Sequence, residues 1–259
     1  MHDVFVTIDV DWAPDWAMRR LLSTLVDGGI RSTWFITHET EVLTDLRSYP
    51  ELVDLGVHPN FQPGSSHGAD PAAVVAECMR IVPEARTMRT HCLVQSTPIL
   101  QTVVDTSPIR LDTSLYLRDL IDVSPTELPL DHGRSLARVP YVWEDDLEFF
   151  ARQPRWDGSA FLRNRHGDEE ITIVDLHPIH VALNSGSAAS YNALRNFHGG
   201  DIRRVDERDA EGFVHSGAGA ATFLDDLILE SSRRDLKFDT PLVDLVTRFD
   251  EANSISRIA

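Results

Sequence analysis

The chain alternates short β-rich runs with amphipathic helical segments, and this alternation restricts it to a mainly parallel sheet with helical crossovers. Val4 to Ile8 reads as a strand. Pro14 to Val26 follows as a helix, with proline in its first turn and Gly28-Gly29 past its end. Thr33 to Ile36 is the second strand, Glu39 to Leu55 is mainly helical with a break at Tyr49-Pro50, and Gly56-Val57 is a short extended piece ending at His58. A polar loop from Asn60 to Asp70 leads into helix Pro71 to Val82, strand Arg86 to Thr90, helix Thr97 to Val104 and extended Ile109 to Leu111. Arg118 to Val139 has little periodicity and reads as irregular. Ile171 to Leu176 is a buried strand, and Ala220 to Ser231 and Pro241 to Phe249 are amphipathic closing helices. A closed or nearly closed barrel fits this order, and an open doubly wound sheet fits the pattern as well. No G-x-G-x-x-G or P-loop follows the first strand, which weakens a nucleotide-binding version.

At 259 residues, with no internal repeat or low-complexity linker, a single domain over 1–259 is the economical reading. The formal net charge of -17 argues against a nucleic-acid surface and against adhesion to anionic lipid. No apolar run approaches a membrane span. Met1-His2-Asp3 leads directly into the first strand without a signal peptide, so the expected location is cytoplasmic. Cys78 and Cys92 have neither paired spacing nor a secretory context, and reduced thiols are expected.

Polar residues collect where strands end. Asp9 and Asp11 follow the first strand, His38 the second, His58 the third, Arg89 and His91 the fourth, Asp112 the fifth, and His177 the strand Ile171 to Leu176. In a barrel of parallel strands these ends converge on one face, where such folds build active sites. Asp9 and Asp11 are alternate residues of an extended chain, so both carboxylates can face one pocket, one binding a metal and the other acting as base. The competing reading makes one of them a cap for the helix near Pro14. His58 and His67 are the candidate histidine partners for a metal, a set that suits zinc with an open position. His177, immediately after a buried strand, suits protonation of a leaving group. His180 offers an alternative metal pair with it, disfavoured because Pro178 interrupts the helix geometry between them.

These motifs resemble the NodB-type polysaccharide deacetylases, carbohydrate esterase family 4, through nearly the whole chain. Thr7-Ile8-Asp9-Val10-Asp11 is similar to the first motif, T-F-D-D, in a D-x-D variant, and implies Asp9 as catalytic base and Asp11 as metal ligand. Gly56-Val57-His58 matches the opening of the second, H-S/T-x-x-H, but Gln62 stands where the second histidine belongs, and His67 is the nearest replacement. Arg89 matches the arginine of R-x-x-P-F/Y, which in the family pairs with the catalytic aspartate; here Arg89-Thr90-His91-Cys92-Leu93 lacks the proline and aromatic residue. Ile109-Arg110-Leu111-Asp112-Thr113-Ser114 resembles G-F/Y-x-Y-D-A/S-S, and Trp143 in Val142-Trp143-Glu144-Asp145 stands in for the aromatic of the fourth motif. Leu176-His177-Pro178 matches L-x-I-x-L-H-P and implies His177 as general acid.

The resemblance implies a distorted (β/α) barrel of about seven parallel strands. It also implies one divalent metal ion, zinc by its ligand types, on Asp11, His58 and His67. The implied reaction is hydrolysis of an acetamido sugar or sugar conjugate, and the pattern is nearest to divergent members of bacterial O-antigen assembly. Asn60, His91, Asp112, Trp143 and His180 are the expected substrate-binding or orienting residues, and Asn184 to Gly219 the expected substrate-covering loops. A deformylase or other C–N hydrolase would use the same machinery. A degenerate, non-catalytic carbohydrate-binding barrel would hold no stoichiometric metal.

Overall fold

The structure is a computed structural model and describes residues 2–165, 171–233 and 235–247. Its strands, in chain order, are β1 (His2–Asp9), β2 (Ser32–Ile36), β3 (Val53–Val57), β4 (Thr87–Met88), β5 (Leu111–Asp112), β6 (Thr126–Pro129), β7 (Ser135–Arg138), β8 (Trp143–Glu144), β9 (Ile171–Leu176) and β10 (Leu236–Lys237). β1 and β9 are buried along their whole length, as expected of parallel strands covered on both faces. The order across the sheet is β6-β7-β5-β4-β3-β2-β1-β9-β8, with β10 against the start of β1. Every pairing is parallel except the β6–β7 hairpin. The sheet curls far enough for Tyr116, just past β5, to make a parallel bridge to Tyr141, just before β8. The fold is therefore an open, curled half-barrel of mostly parallel strands.

Local signals place the helices. Asp70 caps helix Pro71–Ile81 by accepting from the Ala73 N–H at 2.9 Å, and Pro71 occupies the first turn, where it costs no hydrogen bond. Helix Asp15–Asp27 buries Ala17, Met18, Leu21, Leu22 and Leu25 against the sheet. Gly56 serves close packing: a Cβ there would meet the Phe35 ring at 2.6 Å and Thr87 Oγ1 at 2.7 Å. Its absence lets the Phe35 ring pack against the backbone of Gly56, its register partner on β3.

Four segments differ from the sequence reading. Only Val42–Arg47 is helical within Glu39 to Leu55, because Val53 to Leu55 pair with β2 instead, Asp54 opposite Thr33. The stretch from Arg118 to Val139 holds the β6–β7 hairpin; β6 is largely exposed at an edge, so burial leaves no alternation in its sequence. Asn184 to Gly219 folds into helices Ala188–Phe197 and Glu207–Glu211 rather than loops, around a small core of Leu183, Leu194, Ile202, Val205 and Ala210. Trp16 ties this unit to the first helix by donating its indole N–H to the Val205 carbonyl at 2.8 Å. Of the closing segment Pro241 to Phe249, residues 244–247 are helical and Phe249 lies outside the described residues. Among the described residues, no helix is long and apolar enough to cross a membrane.

His2 lies buried at the opposite end of the barrel from the convergent strand ends, its Nε2 2.7 Å from Thr172 Oγ1. Burial, reinforced by the charge of Arg165, lowers its pKa from 6.5 to about 4. The folded state thus takes up this proton less readily than the unfolded chain. The resulting stability is fully present above about pH 6.5 and is lost as pH falls toward about 4, by at most a few kcal/mol. His2→Gln, which can keep the bond to Thr172 without titrating, is expected to flatten this part of the stability curve. Denaturant unfolding at a series of pH values checks it; an unchanged slope would contradict the assignment.

Candidate metal and active site

The turns after β1 and β4 face each other and are both wound into the left-handed region at non-glycine residues. Asp11 and Trp12 have φ of 44° and 56°, and Cys92 and Leu93 of 52° and 55°. Each such residue costs roughly 1–2 kcal/mol, strain of the kind concentrated at functional sites. Specific bonds hold both turns. The Trp12 N–H donates to Thr37 Oγ1 at 3.1 Å, Ala13 N–H to the Val10 carbonyl at 2.8 Å, and His91 N–H to the Pro59 carbonyl at 3.0 Å.

The effect is to bring three donor atoms together. Asp11 Oδ1 lies 3.1 Å from His58 Nε2 and 2.8 Å from His91 Nδ1, and the two imidazole nitrogens are 3.3 Å apart. Four ligands at about 2.0–2.1 Å from one tetrahedral ion are separated from each other by about 3.3 Å, so this spacing fits a shared cation. The chemistry of the donors agrees. Burial opposes charge on Asp11, yet hydrogen bonds from His58 and His91 hold its carboxyl well below the usual range. Burial also disfavours charge on His91, and Asp11 overrides it, raising the imidazole to about 10. His58 Nδ1 is buried without a hydrogen-bond partner and faces Asp9 Oδ1 at 3.6 Å, so the carboxylate lies behind the imidazole as outer-shell groups commonly do at metal sites.

Asp9 and His177 flank this group, one on each of two neighbouring strands. Asp9 is buried and accepts from Arg89 Nη1 at 3.0 Å. Arg89 is fully buried, its guanidinium 4.1 Å from the Tyr141 ring centre and 4.9 Å from that of Phe35. His177 donates its backbone N–H to Asp145 Oδ2 at 2.9 Å, and its Nδ1 lies 2.7 Å from Asp145 Oδ1. That bond makes Nδ1 the proton donor to Asp145 and turns Nε2 toward Asp11 Oδ2, 3.7 Å away. Burial disfavours the imidazolium, but the Asp145 carboxylate overcomes it and raises His177 well above its ordinary pKa. The Asp9 carboxylate and the His177 imidazole therefore sit on either side of a three-donor group.

The remaining sequence candidates fall elsewhere. His67 is not part of the donor group. Its Nε2 is 2.6 Å from the Thr37 carbonyl and its Nδ1 accepts from the Asn60 N–H at 3.1 Å, so both ring nitrogens are spent on the loop. The third donor grouped with Asp11 and His58 is His91. Asn60 uses its side-chain oxygen to accept from the Gln62 N–H at 3.0 Å and so shapes that same loop. Asp112 accepts from the Ser114 N–H at 2.9 Å and from Arg138 Nε at 2.8 Å, and orients neither His177 nor Arg89. Trp143 is a core residue, stacked on Phe223 with centroids 3.6 Å apart and donating its indole N–H to the Arg155 carbonyl at 2.9 Å. His180 is buried beside His177, ring centres 5.4 Å apart, with Phe149 and Tyr191 also edge-on to it. His38 binds Thr37 Oγ1 through Nδ1 at 2.9 Å, outside the donor group. Trp12, not singled out in the sequence, is half-exposed and edge-on to His91 at 5.1 Å, forming a wall of the site.

Comparison with known proteins places the chain in one family. A family model described as "WbmS-like: Polysaccharide deacetylase" matches residues 6–195. Among solved structures, WbmS of Bordetella bronchiseptica, a proposed polysaccharide deacetylase involved in O-antigen biosynthesis, is 30% identical. The match covers 88% of this chain and 90% of WbmS, with a TM-score of 0.71. A maltose-forming amylase from Pyrococcus sp. shares only the fold, at 10% identity and a TM-score of 0.53, over 97% of this chain and 49% of the amylase. A family 4 acetyl xylan esterase from Clostridium thermocellum, in complex with cobalt, aligns over 95% of this chain and 91% of its own at 14% identity and a TM-score of 0.45. No curated protein sequence matches the chain.

The two histidine assignments give opposite expectations for metal content. His91→Ala is expected to weaken divalent-metal binding by more than the roughly 10–100-fold that loss of an outer-shell partner costs. His67→Ala is expected to leave stoichiometry unchanged. Elemental analysis of the purified variants, followed by titration with zinc, separates them; loss of metal in His67→Ala alone would reverse the assignment.

Proposed function

Because this chain belongs to the WbmS-like polysaccharide deacetylases, we propose that it hydrolyses the N-acetyl group of an acetamido sugar in surface-polysaccharide (O-antigen) synthesis. The observation that carries the reading is the placement of Asp9 and His177 on either side of the Asp11–His58–His91 group. In this reading those three residues hold one divalent ion, zinc by the two-imidazole, one-carboxylate set. Such an ion supplies the Lewis acidity that polarises an amide carbonyl and makes water a usable nucleophile at neutral pH.

The protein's own groups do the proton chemistry. Asp9, aimed by Arg89, takes the proton of the attacking water. His177, with its proton on Nε2 and Asp145 behind it, delivers that proton to the departing sugar nitrogen, which would otherwise leave as a poor amide anion. Asp145 fixes the ring's tautomer and orientation and stabilises the imidazolium, the work a buried aspartate does behind a catalytic histidine in other hydrolases. Trp12 offers an apolar face for the sugar beside His91. A cytoplasmic location would direct the enzyme to a precursor sugar rather than finished polymer.

Acetate release from acetamido sugars, free and carrier-linked, tests the proposal. Asp9→Asn is expected to lower turnover by about 10²–10⁴-fold while metal content stays that of the wild type. Retained turnover in Asp9→Asn would remove the base assignment. Release of formate from N-formyl sugars in place of acetate would move the reaction to deformylation.

A further inference from the structure

Asp175 lies inside β9, two residues before His177 and in register with Thr7 of β1. It is fully buried in a strand whose other members are Ile171, Thr172, Ile173, Val174 and Leu176. We propose that Asp175 is a positioning residue of the active site, seating the Arg89 guanidinium against Asp9; this rests on the reaction proposed above. A single nitrogen carries the connection. Arg89 Nη1 donates to Asp9 Oδ1 at 3.0 Å and also to Asp175 Oδ1, so its two hydrogens are divided between the two carboxylates. Thr7 Oγ1 fixes Asp175 from the other side, at 2.7 Å from the same oxygen, and Thr7 shares a strand face with Asp9. Arg89 has few other anchors. Nε reaches the Thr113 carbonyl only at 3.4 Å, and Nη2 has no partner among the described residues. The Tyr141 and Phe35 rings restrict the guanidinium without choosing its direction along the barrel axis.

Stability gives no reason for an acid at this position. A buried ion pair seldom outperforms apolar packing of similar volume, and β9 is otherwise a run of core residues. Glu144, in register with Asp175 on β8, adds a third carboxyl near Asp9. Burial pushes both Glu144 and Asp175 well above the ordinary carboxylate pKa, and Glu144 accepts its hydrogen bond from the Tyr141 hydroxyl instead of from Arg89. Arg89 is left shared between Asp9 and Asp175. With Asp175 gone, the second Nη1 hydrogen would lose its acceptor, and the guanidinium would be left with only the Asp9 bond and the long Thr113 contact.

The test compares Asp175→Ala with Asp175→Asn, whose amide oxygen can still accept the Arg89 and Thr7 hydrogens. Crystal structures, metal content, kcat and KM are measured for both. In Asp175→Ala, Arg89 is expected to move off Asp9 and kcat to fall about 10–100-fold, with KM and metal content within about twofold of the wild type. Asp175→Asn is expected to keep the Arg89–Asp9 contact and recover most of kcat. In an Arg89→Leu background, Asp175→Ala should cost no further kcat. The proposal is overturned if Arg89 remains seated on Asp9 in Asp175→Ala, or if Ala and Asn reduce kcat equally in both backgrounds. A wild type that releases no acetate would defeat the proposed reaction, while the crystallographic comparison would still decide whether Asp175 seats Arg89.

Discussion

Parallel pairing of β1 with β9, Thr7 opposite Asp175, fixes the relation between the two strand ends on which the site depends. Two residues further on, Asp9 ends β1 and His177 follows β9, so the carboxylate and the imidazole are neighbours through backbone hydrogen bonding rather than loop packing. The next strands add to this frame in order. β3 ends at His58, held by its backbone bond to the Ile36 carbonyl at 2.9 Å, and β4 runs directly into Arg89. A one-residue slip of β9 against β1 would turn Asp175 and His177 outward and lose both the Arg89 contact and the acid.

This arrangement concentrates unfavourable terms in one place. Asp9, Arg89, Asp145, Asp175, His58 and His177 are all buried, and taking charged groups out of water costs several kcal/mol each unless they pair. The pairs offset much of that cost: Arg89 with Asp9 and Asp175, His177 with Asp145. Asp11 is different, since it sits on a strained turn and its partners are two imidazoles.

The sequence was readable where structure follows from strand order. An apolar run ending in an acid or histidine gave β1, β2 and β9 and located Asp9, Asp11, His58, Arg89 and His177 at one end of the barrel. The family resemblance added the expected distorted barrel and the deacetylase class, and the chain does belong to that class. Reading failed where space rather than spacing decides. His67 is nearer His58 in sequence, but its loop spends both ring nitrogens, whereas His91 opens the short 3-10 turn after β4 and from there its Nδ1 reaches Asp11. Trp143 drew notice as an aromatic, yet it packs into the core; Asp145, two residues on, is the group that touches His177. Asp175 was visible as an acid inside a buried strand, a signal of a partner that no local pattern could name. The β6–β7 hairpin left no trace because an exposed edge strand needs no alternation.

The central claim is that Asp11, His58 and His91 share one divalent cation between Asp9 and His177. Crystals of the zinc-loaded protein, measured on both sides of the zinc absorption edge, test it most directly. The account predicts one anomalous peak about 2.0–2.2 Å from Asp11 Oδ1, His58 Nε2 and His91 Nδ1, with His67 still bonded to the Thr37 carbonyl. A peak at His67, at the Asp145–His177–His180 group, or none at full zinc loading would contradict it.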